Sequence, residues 1–165
     1  HPRPIYICLG KKDMPFLHEP DDHFEIGKAI QLTPPAKNYD IALVATGETV
    51  APAFLAHQLL ASQGITSCVL SLHTLRPFDE EAVERAATRS QAVITVEEHS
   101  VHGGLGSRVA SFLMQSRIFR PLHIVGIPDE HTITGNQVEL FSHYGISPQG
   151  LSHIALNLLS SPDLA

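Results

Sequence analysis

The chain has 165 residues, 43% hydrophobic and 17% charged, with a formal net charge of -6. That balance fits one folded domain with a real core and excludes a disordered segment. A basic face of the kind nucleic acids need is missing, and no apolar run approaches the roughly 18 residues of a membrane span.

The chain opens with His1-Pro2-Arg3-Pro4 and lacks a long apolar stretch there, so no signal peptide is expected and the cytoplasm is the expected compartment. Ile5-Tyr6-Ile7-Cys8-Leu9 reads as a strand, with a turn-rich exit over residues 10–15. The charged run from His18 to His23 reads as a linker to the tail of a preceding domain, which puts a domain boundary between residues 1–22 and 23–165. A second extended run over residues 24–32 alternates with period two and is closed by Thr33-Pro34-Pro35. Cys8 and Cys68 both sit in apolar runs and read as small buried hydrophobes in a reducing compartment.

From Tyr39 the pattern becomes strand–helix alternation. Ile41-Ala42-Leu43-Val44-Ala45 is a strand covered on both faces. A helix follows over residues 49–63, with Ala51, Leu55 and Leu59 in one apolar row, Pro52 in the first turn and Gly64 as its stop. A strand over 67–72 leads to a helix capped by Asp79, with Glu80 and Glu81 near the positive dipole end and a stripe of Ala82, Val83, Ala86 and Ala87. A strand over 92–96, a glycine turn and a helix carrying Leu105, Val109, Phe112 and Leu113 form the third unit. Leu122-His123-Ile124-Val125 is a last strand. A helix over 136–144 is stopped by Gly145, and Ser147 caps another with Pro148 at its first position. This alternation implies an α/β domain with a mostly parallel sheet between helices.

The chemistry-bearing residues gather where the third strand ends: Glu97-Glu98-His99, then Ser100-Val101-His102-Gly103-Gly104-Leu105-Gly106-Ser107. Beyond the carboxyl ends of strands is where open α/β sheets handle ligands. Gly104 and Gly106 supply part of a dinucleotide fingerprint, but its third glycine is Val109 and two carboxylates precede the turn, so a pyrophosphate is disfavoured. His99 and His102 lack the convergent partners of a zinc site, neither cysteine is in a C-x-x-C pair, and there is no G-x-S-x-G elbow around Ser107. No metal site and no catalytic residue is assigned. Adjacent strand residues face opposite ways, so Glu97 and Glu98 should divide, one buried against backbone N–H groups and the other exposed. His73 lies at the carboxyl end of a neighbouring or near-neighbouring strand. Either a direct ligand contact or a hydrogen-bonded turn that fixes a subunit interface would suit this tip.

Six segments occur in order: Phe24-Glu25-Ile26-Gly27-Lys28-Ala29, Val44-Ala45-Thr46-Gly47, Leu72-His73-Thr74-Leu75-Arg76-Pro77-Phe78-Asp79, the tip from Val96 to Ser107, Gly126-Ile127-Pro128-Asp129 and His143-Tyr144-Gly145-Ile146. Together they resemble the C-terminal section of split, two-chain transketolase-like thiamine diphosphate enzymes, over about residues 4–160. The likeness is looser to deoxyxylulose-phosphate synthase, where an arginine would usually stand at His73, and to 2-oxo acid dehydrogenase beta subunits.

The resemblance implies a three-layer αβα domain of five strands, the first antiparallel. It also implies that thiamine diphosphate and magnesium belong to the complete enzyme, which transfers a two-carbon ketol unit. The N-terminal diphosphate-binding and pyrimidine-binding domains would be its partners, and a homodimer is expected. This chain has no GDG…NN diphosphate motif, and only Ile5-Tyr6-Ile7-Cys8-Leu9 resembles the pyrimidine domain, as its last strand. The chain alone should therefore be inactive and bind no cofactor. His73, Glu97, Glu98, His99 and His102 would border the substrate channel or the interface, with Gly103, Gly104 and Gly106 as the turn. A stand-alone module for dimerisation, or for holding an anion at the helix after Gly106, is the reading from another class.

Overall fold

The computed structural model describes residues 4–10, 13–19 and 21–160. A five-stranded sheet carries helices on both faces. Its strands are β1 (Ile30–Gln31), β2 (Tyr39–Ala45), β3 (Ser67–Ser71), β4 (Ser90–Ser100) and β5 (Leu122–Ile127). Their spatial order is β1-β3-β2-β4-β5, with β1 antiparallel to β3 and the other pairs parallel. The expected three-layer αβα domain with an antiparallel first strand is what the chain forms.

The helices are α1 (Val50–Ala61), preceded by a 3₁₀ turn at Gly47–Thr49, α2 (Glu80–Thr88), α3 (Leu105–Gln115), α4 (Gln137–His143) and α5 (Pro148–Leu159). Each layer follows from strand alternation. Ala42, Val44 and Val93 point to one face, where they pack on Val83, Leu105 and Val109 of α2 and α3. Ile41, Leu43 and Ile94 point to the other, against Ala53, Ala56 and Leu60 of α1 and Leu151 of α5. Because both faces are covered, residues 41–45 of β2 read as an unbroken apolar run.

Caps fall where the side-chain chemistry places them. Asp79 accepts from the Ala82 N–H at 3.1 Å, and its other oxygen accepts from the Ala29 N–H at 2.8 Å, which ties the segment before β1 to α2. Asn136 and Glu139 form a reciprocal capping box on α4, and Ser147 caps α5 with Pro148 inside the first turn.

Several expectations need correction. Ile5-Tyr6-Ile7-Cys8-Leu9 forms no strand; among the described residues it has no neighbouring strand to complete a ladder, and Ile5, Tyr6, Ile7 and Leu9 stand exposed. Cys8 is consequently exposed, whereas Cys68 is buried as expected. The run over 24–32 pairs only at Ile30–Gln31, because Gly27 takes φ +88° and Lys28 N–H closes a turn onto the Glu25 carbonyl. In α1, Ala51 of the expected row is buried but Leu55 and Leu59 face outward, and the buried face is Val50, Ala51, Ala53, Ala56 and Leu60. The helix is apolar nearly all round, so periodicity did not choose a face; close packing on the sheet favours the small alanines. The strand expected over 92–96 runs on to Ser100, since β5 continues beside it past a register shift between Val96 and Ser100. Lys11, Lys12 and Pro20, parts of the expected exit and linker, lie outside the described residues.

Candidate functional site at the carboxyl ends of β2 and β4

The chain leaves β2 toward β3 on one side and reaches β4 on the other, so β2 and β4 flank the switch point where such sheets open a crevice. Thr49 fixes its floor: its hydroxyl donates to the Thr46 and Val96 carbonyls, both at 2.8 Å. Because β4 persists through the tip, period-two alternation still governs it. Glu97 points to the α3 face and Glu98 to the opposite one.

Glu97 is 2% exposed, and its two oxygens accept the N–H groups of Leu105 at 2.7 Å and Gly106 at 2.8 Å. These are the first free donors of α3, so a strand carboxylate caps a helix across the glycine turn and sits at its positive dipole end. The turn is built for that contact. Gly103 has φ +81°, a left-handed conformation that favours glycine. A Cβ on Gly104 would lie 1.8 Å from a Glu97 carboxylate oxygen, and one on Gly106 would lie 2.4 Å from Ile124 of β5. Ser107 closes the turn, its hydroxyl donating to the Val101 carbonyl and accepting the Gly103 N–H.

The Glu97 side chain, expected at the border of a channel or an interface, is buried inside the domain with both oxygens engaged. The expected division of the two carboxylates holds. The same contact argues against an anion held at the helix after Gly106, because the protein's own carboxylate occupies those donors.

Glu98 faces Glu48, which follows Gly47 at the end of β2, and Gln137 of α4. Burial, and then the Glu48 charge, raise the Glu98 carboxyl above its ordinary value, while a hydrogen bond from Gln137 offsets part of this. Gly10 packs on the same corner, since a Cβ there would meet the Glu48 carboxylate. Sequence reading passed over Glu48; its position directly after the Thr46-Gly47 turn at a strand end was the available signal. His99 and His102 are exposed beyond the tip.

His73 lies two strands from the tip, with β2 between. Its ring stacks on Phe24 at 4.1 Å and its Nδ1 meets the Thr74 hydroxyl at 2.8 Å. Burial lowers its basicity, a main-chain hydrogen bond at Lys28 opposes this, and His18 lowers it further. The structure thus brings Glu98, His99 and His102 together at one strand end and leaves His73 apart. Among the described residues no group of three or more His, Cys, Asp or Glu could hold a metal ion, and no helix is long and apolar enough to cross a membrane.

Fold and tip together define an open α/β domain with acidic side chains gathered at its switch point. A family model described as "Transketolase, C-terminal domain" matches residues 31–151. The chain belongs to the transketolase C-terminal domain family. It is 39% identical over 160 residues to one of the subunits of apulose-4-phosphate transketolase from Phocaeicola vulgatus, covering 96% of this chain and 50% of that protein. It is 43% identical over 129 residues to a 6-deoxy-6-sulfo-D-fructose transketolase subunit of a Clostridium species, covering 78% and 39%. Deoxyxylulose-phosphate synthase of Dehalococcoides mccartyi is a further relative, 34% identical over 126 residues, 75% of this chain and 20% of the synthase. A solved structure titled as a split gene transketolase, inactive beta4 tetramer, superposes with a TM-score of 0.79 at 33% identity, over 89% of this chain and 47% of that one. The chain thus spans about half, or less, of the relatives it matches.

Proposed function

We propose that this chain is the C-terminal part of a transketolase-like, thiamine diphosphate-dependent transferase that moves a two-carbon ketol unit. In this reading it contributes to dimerisation and borders the substrate channel, and it is inactive alone. The family match over residues 31–151 carries the assignment. Two relatives are named as transketolase subunits and share only about half or less of their length with it, which supports a partnership with further, N-terminal parts. Residues 1–22 are assigned to the tail of a preceding pyrimidine-binding domain, an assignment supported by the exposed apolar side chains of Ile5, Tyr6, Ile7 and Leu9. Cytoplasmic location belongs to the same reading.

Thiamine diphosphate with magnesium supplies a stabilised carbanion when bound. The described residues do not fit that group. They hold no metal-capable cluster, and the glycine-turn helix end where a diphosphate would bind is filled by Glu97. The cofactor is accordingly assigned to the partner domains, and the present residues to support: Glu97 sets the tip, Glu98, His99 and His102 face outward toward the channel or the interface, and His73, half-buried against Phe24, is assigned to the same border. Substrates that differ between the named relatives fit a domain outside the chemistry.

Calorimetric titration of thiamine diphosphate and magnesium into the 165-residue chain should give no binding, and stoichiometric micromolar binding would overturn the reading. In the complete enzyme, His99→Ala should raise the substrate's KM if the tip borders the channel. An unchanged KM with a weakened dimer assigns the tip to the interface.

A further inference from the structure

Glu48 and Glu98 stand beside each other because the strands that lead to them are in register. Ala45 of β2 pairs with Val96 of β4, and the Val96 carbonyl accepts the Thr46 N–H at 3.2 Å and the Thr49 hydroxyl at 2.8 Å. The two strands therefore end side by side, and the carboxyls that follow meet just beyond that end. Two further segments close on them. Gln137 of α4 reaches Glu98, and Gly10, from the segment before β1, lies so near the Glu48 carboxylate that a Cβ there would overlap it.

The Glu48 Oε2 atom is buried, yet it has no hydrogen-bond partner among the N–H and O–H groups of the described residues. A buried carboxylate oxygen without a donor is costly unless something completes it. Ionised carboxylates only accept, so two in contact are joined directly when one of them keeps its proton. Glu98 is the one that keeps it: burial raises its carboxyl, and the charge of Glu48, to which it is hydrogen-bonded, raises it further. The neighbouring acids are engaged elsewhere. Glu97 takes the α3 N–H groups, Glu139 accepts the Asn136 N–H at 2.9 Å, and Glu130 lies 4.0 Å from His143. His99, next along β4, is exposed, and neither Glu48 nor Glu98 forms an ion pair among the described residues.

We propose that Glu98 and Glu48 share one proton and act as a latch, which seats the chain around Gly10 on the carboxyl ends of β2 and β4 and loosens when that proton leaves. In the closed form the Glu98 O–H donates to the Glu48 carboxylate, and the Gly10 backbone packs against the pair. As pH rises through the folded value of Glu98, its O–H bond breaks, the proton passes to water and the corner gains a second negative charge. The two like charges then push apart, and Glu48 is displaced against Gly10. Residues 1–22, proposed above as the tail of a preceding domain, would thus have their seating on this domain set by pH; that consequence rests on the proposed reading, whereas the latch itself does not.

Hydrogen–deuterium exchange of the full-length polypeptide that carries this domain tests the latch. Exchange is read by mass spectrometry on residues 5–10 at pH 5 and pH 8 and corrected for the intrinsic pH dependence of amide exchange. The corrected rate should rise at least about threefold at pH 8 in the wild type. Glu98→Gln keeps a donor toward Glu48 with no proton to lose, and Glu48→Gln removes the opposing charge. Both variants should therefore exchange at about the slow wild-type rate at either pH. Infrared titration should show a protonated-carboxyl band, absent from Glu98→Gln, with a midpoint above the ordinary 4.5. A flat wild-type profile, a rise that survives in either variant, fast exchange of both variants at both pH values, or no such band overturns the proposal. None of these readouts depends on where thiamine diphosphate or substrate binds, so the latch and the proposed function fail separately.

Discussion

Glu97 on β4 holds the N-terminus of α3 through Leu105, whose backbone N–H lies 2.7 Å from its carboxylate, with Gly106 completing a second bond at 2.8 Å. Hydrogen bonds to a charged acceptor are worth about 1.5–3 kcal/mol each in mutational series. Glu97→Gln keeps the shape but turns an amide N–H toward a backbone N–H. It should cost about 2–4 kcal/mol in urea unfolding. A loss under about 0.5 kcal/mol, the size of an ordinary surface change, would show that the contact does not stabilise the fold.

Gly104→Ala should act through the same contact, because its Cβ would displace the Glu97 carboxylate from the helix end. A cost of about 1–3 kcal/mol is expected from overpacking alone. Since both changes break one interaction, Glu97→Gln combined with Gly104→Ala should lose clearly less than the sum of the two. Full additivity in a double-mutant cycle would refute the shared cause.

The Glu98 carboxyl, raised by burial and by Glu48, gives a pH dependence of definite sign. With its value raised above the ordinary 4.5, the folded state binds the proton more tightly than the unfolded chain does. This group's contribution is therefore fully present below that ordinary value and is lost as pH rises through the folded value. Glu98→Gln should stabilise the protein at pH 7 relative to wild type, and this advantage should shrink toward pH 4. Thermal unfolding at the two pH values measures it, and an advantage that grows on acidification contradicts the assignment.

His73 has the opposite sign. Its ring is favoured neutral in the folded state, so its contribution is present above pH 6.5 and is lost as pH falls through the lowered folded value. His73→Phe should remove that acid sensitivity while keeping the stack on Phe24. Stability curves between pH 5 and 7.5 that run parallel for variant and wild type would exclude His73 as the source.

The two cysteines should separate cleanly toward an alkylating reagent. Burial pushes the Cys68 thiol up to about 11, whereas Cys8 is exposed. Mass spectrometry of the native protein at pH 7.5 should find one label, on Cys8, and denaturation should release the second. Labelling of native Cys68 at a similar rate would contradict its burial.

Much of the fold was legible because strand and helix periods differ and because caps have specific chemistry. Asp79, Asn136 and Ser147 stand at helix starts, and the αβα order follows from β2 and β4 being apolar on both faces. What failed did so where the pattern was degenerate. A helix apolar all round does not state which face it buries, hence Leu55 and Leu59. An extended run such as Ile5-Tyr6-Ile7-Cys8-Leu9 becomes a strand only beside a partner, which local sequence does not supply. At the tip, alternation correctly separated Glu97 from Glu98, but the direct cap on α3 needed the Gly104 approach to be seen in three dimensions. Glu48 was invisible for a related reason, since only folding brings it opposite Glu98.

Residues 10, 48, 98 and 137 meet at one corner although they are scattered along the polypeptide. The segment before β1, the ends of β2 and β4 and the start of α4 therefore pack at a single point. The strand-end carboxylates thus share their corner with Gly10, far from them in sequence, so enlarging that glycine would disturb the acidic edge without touching the apolar layers.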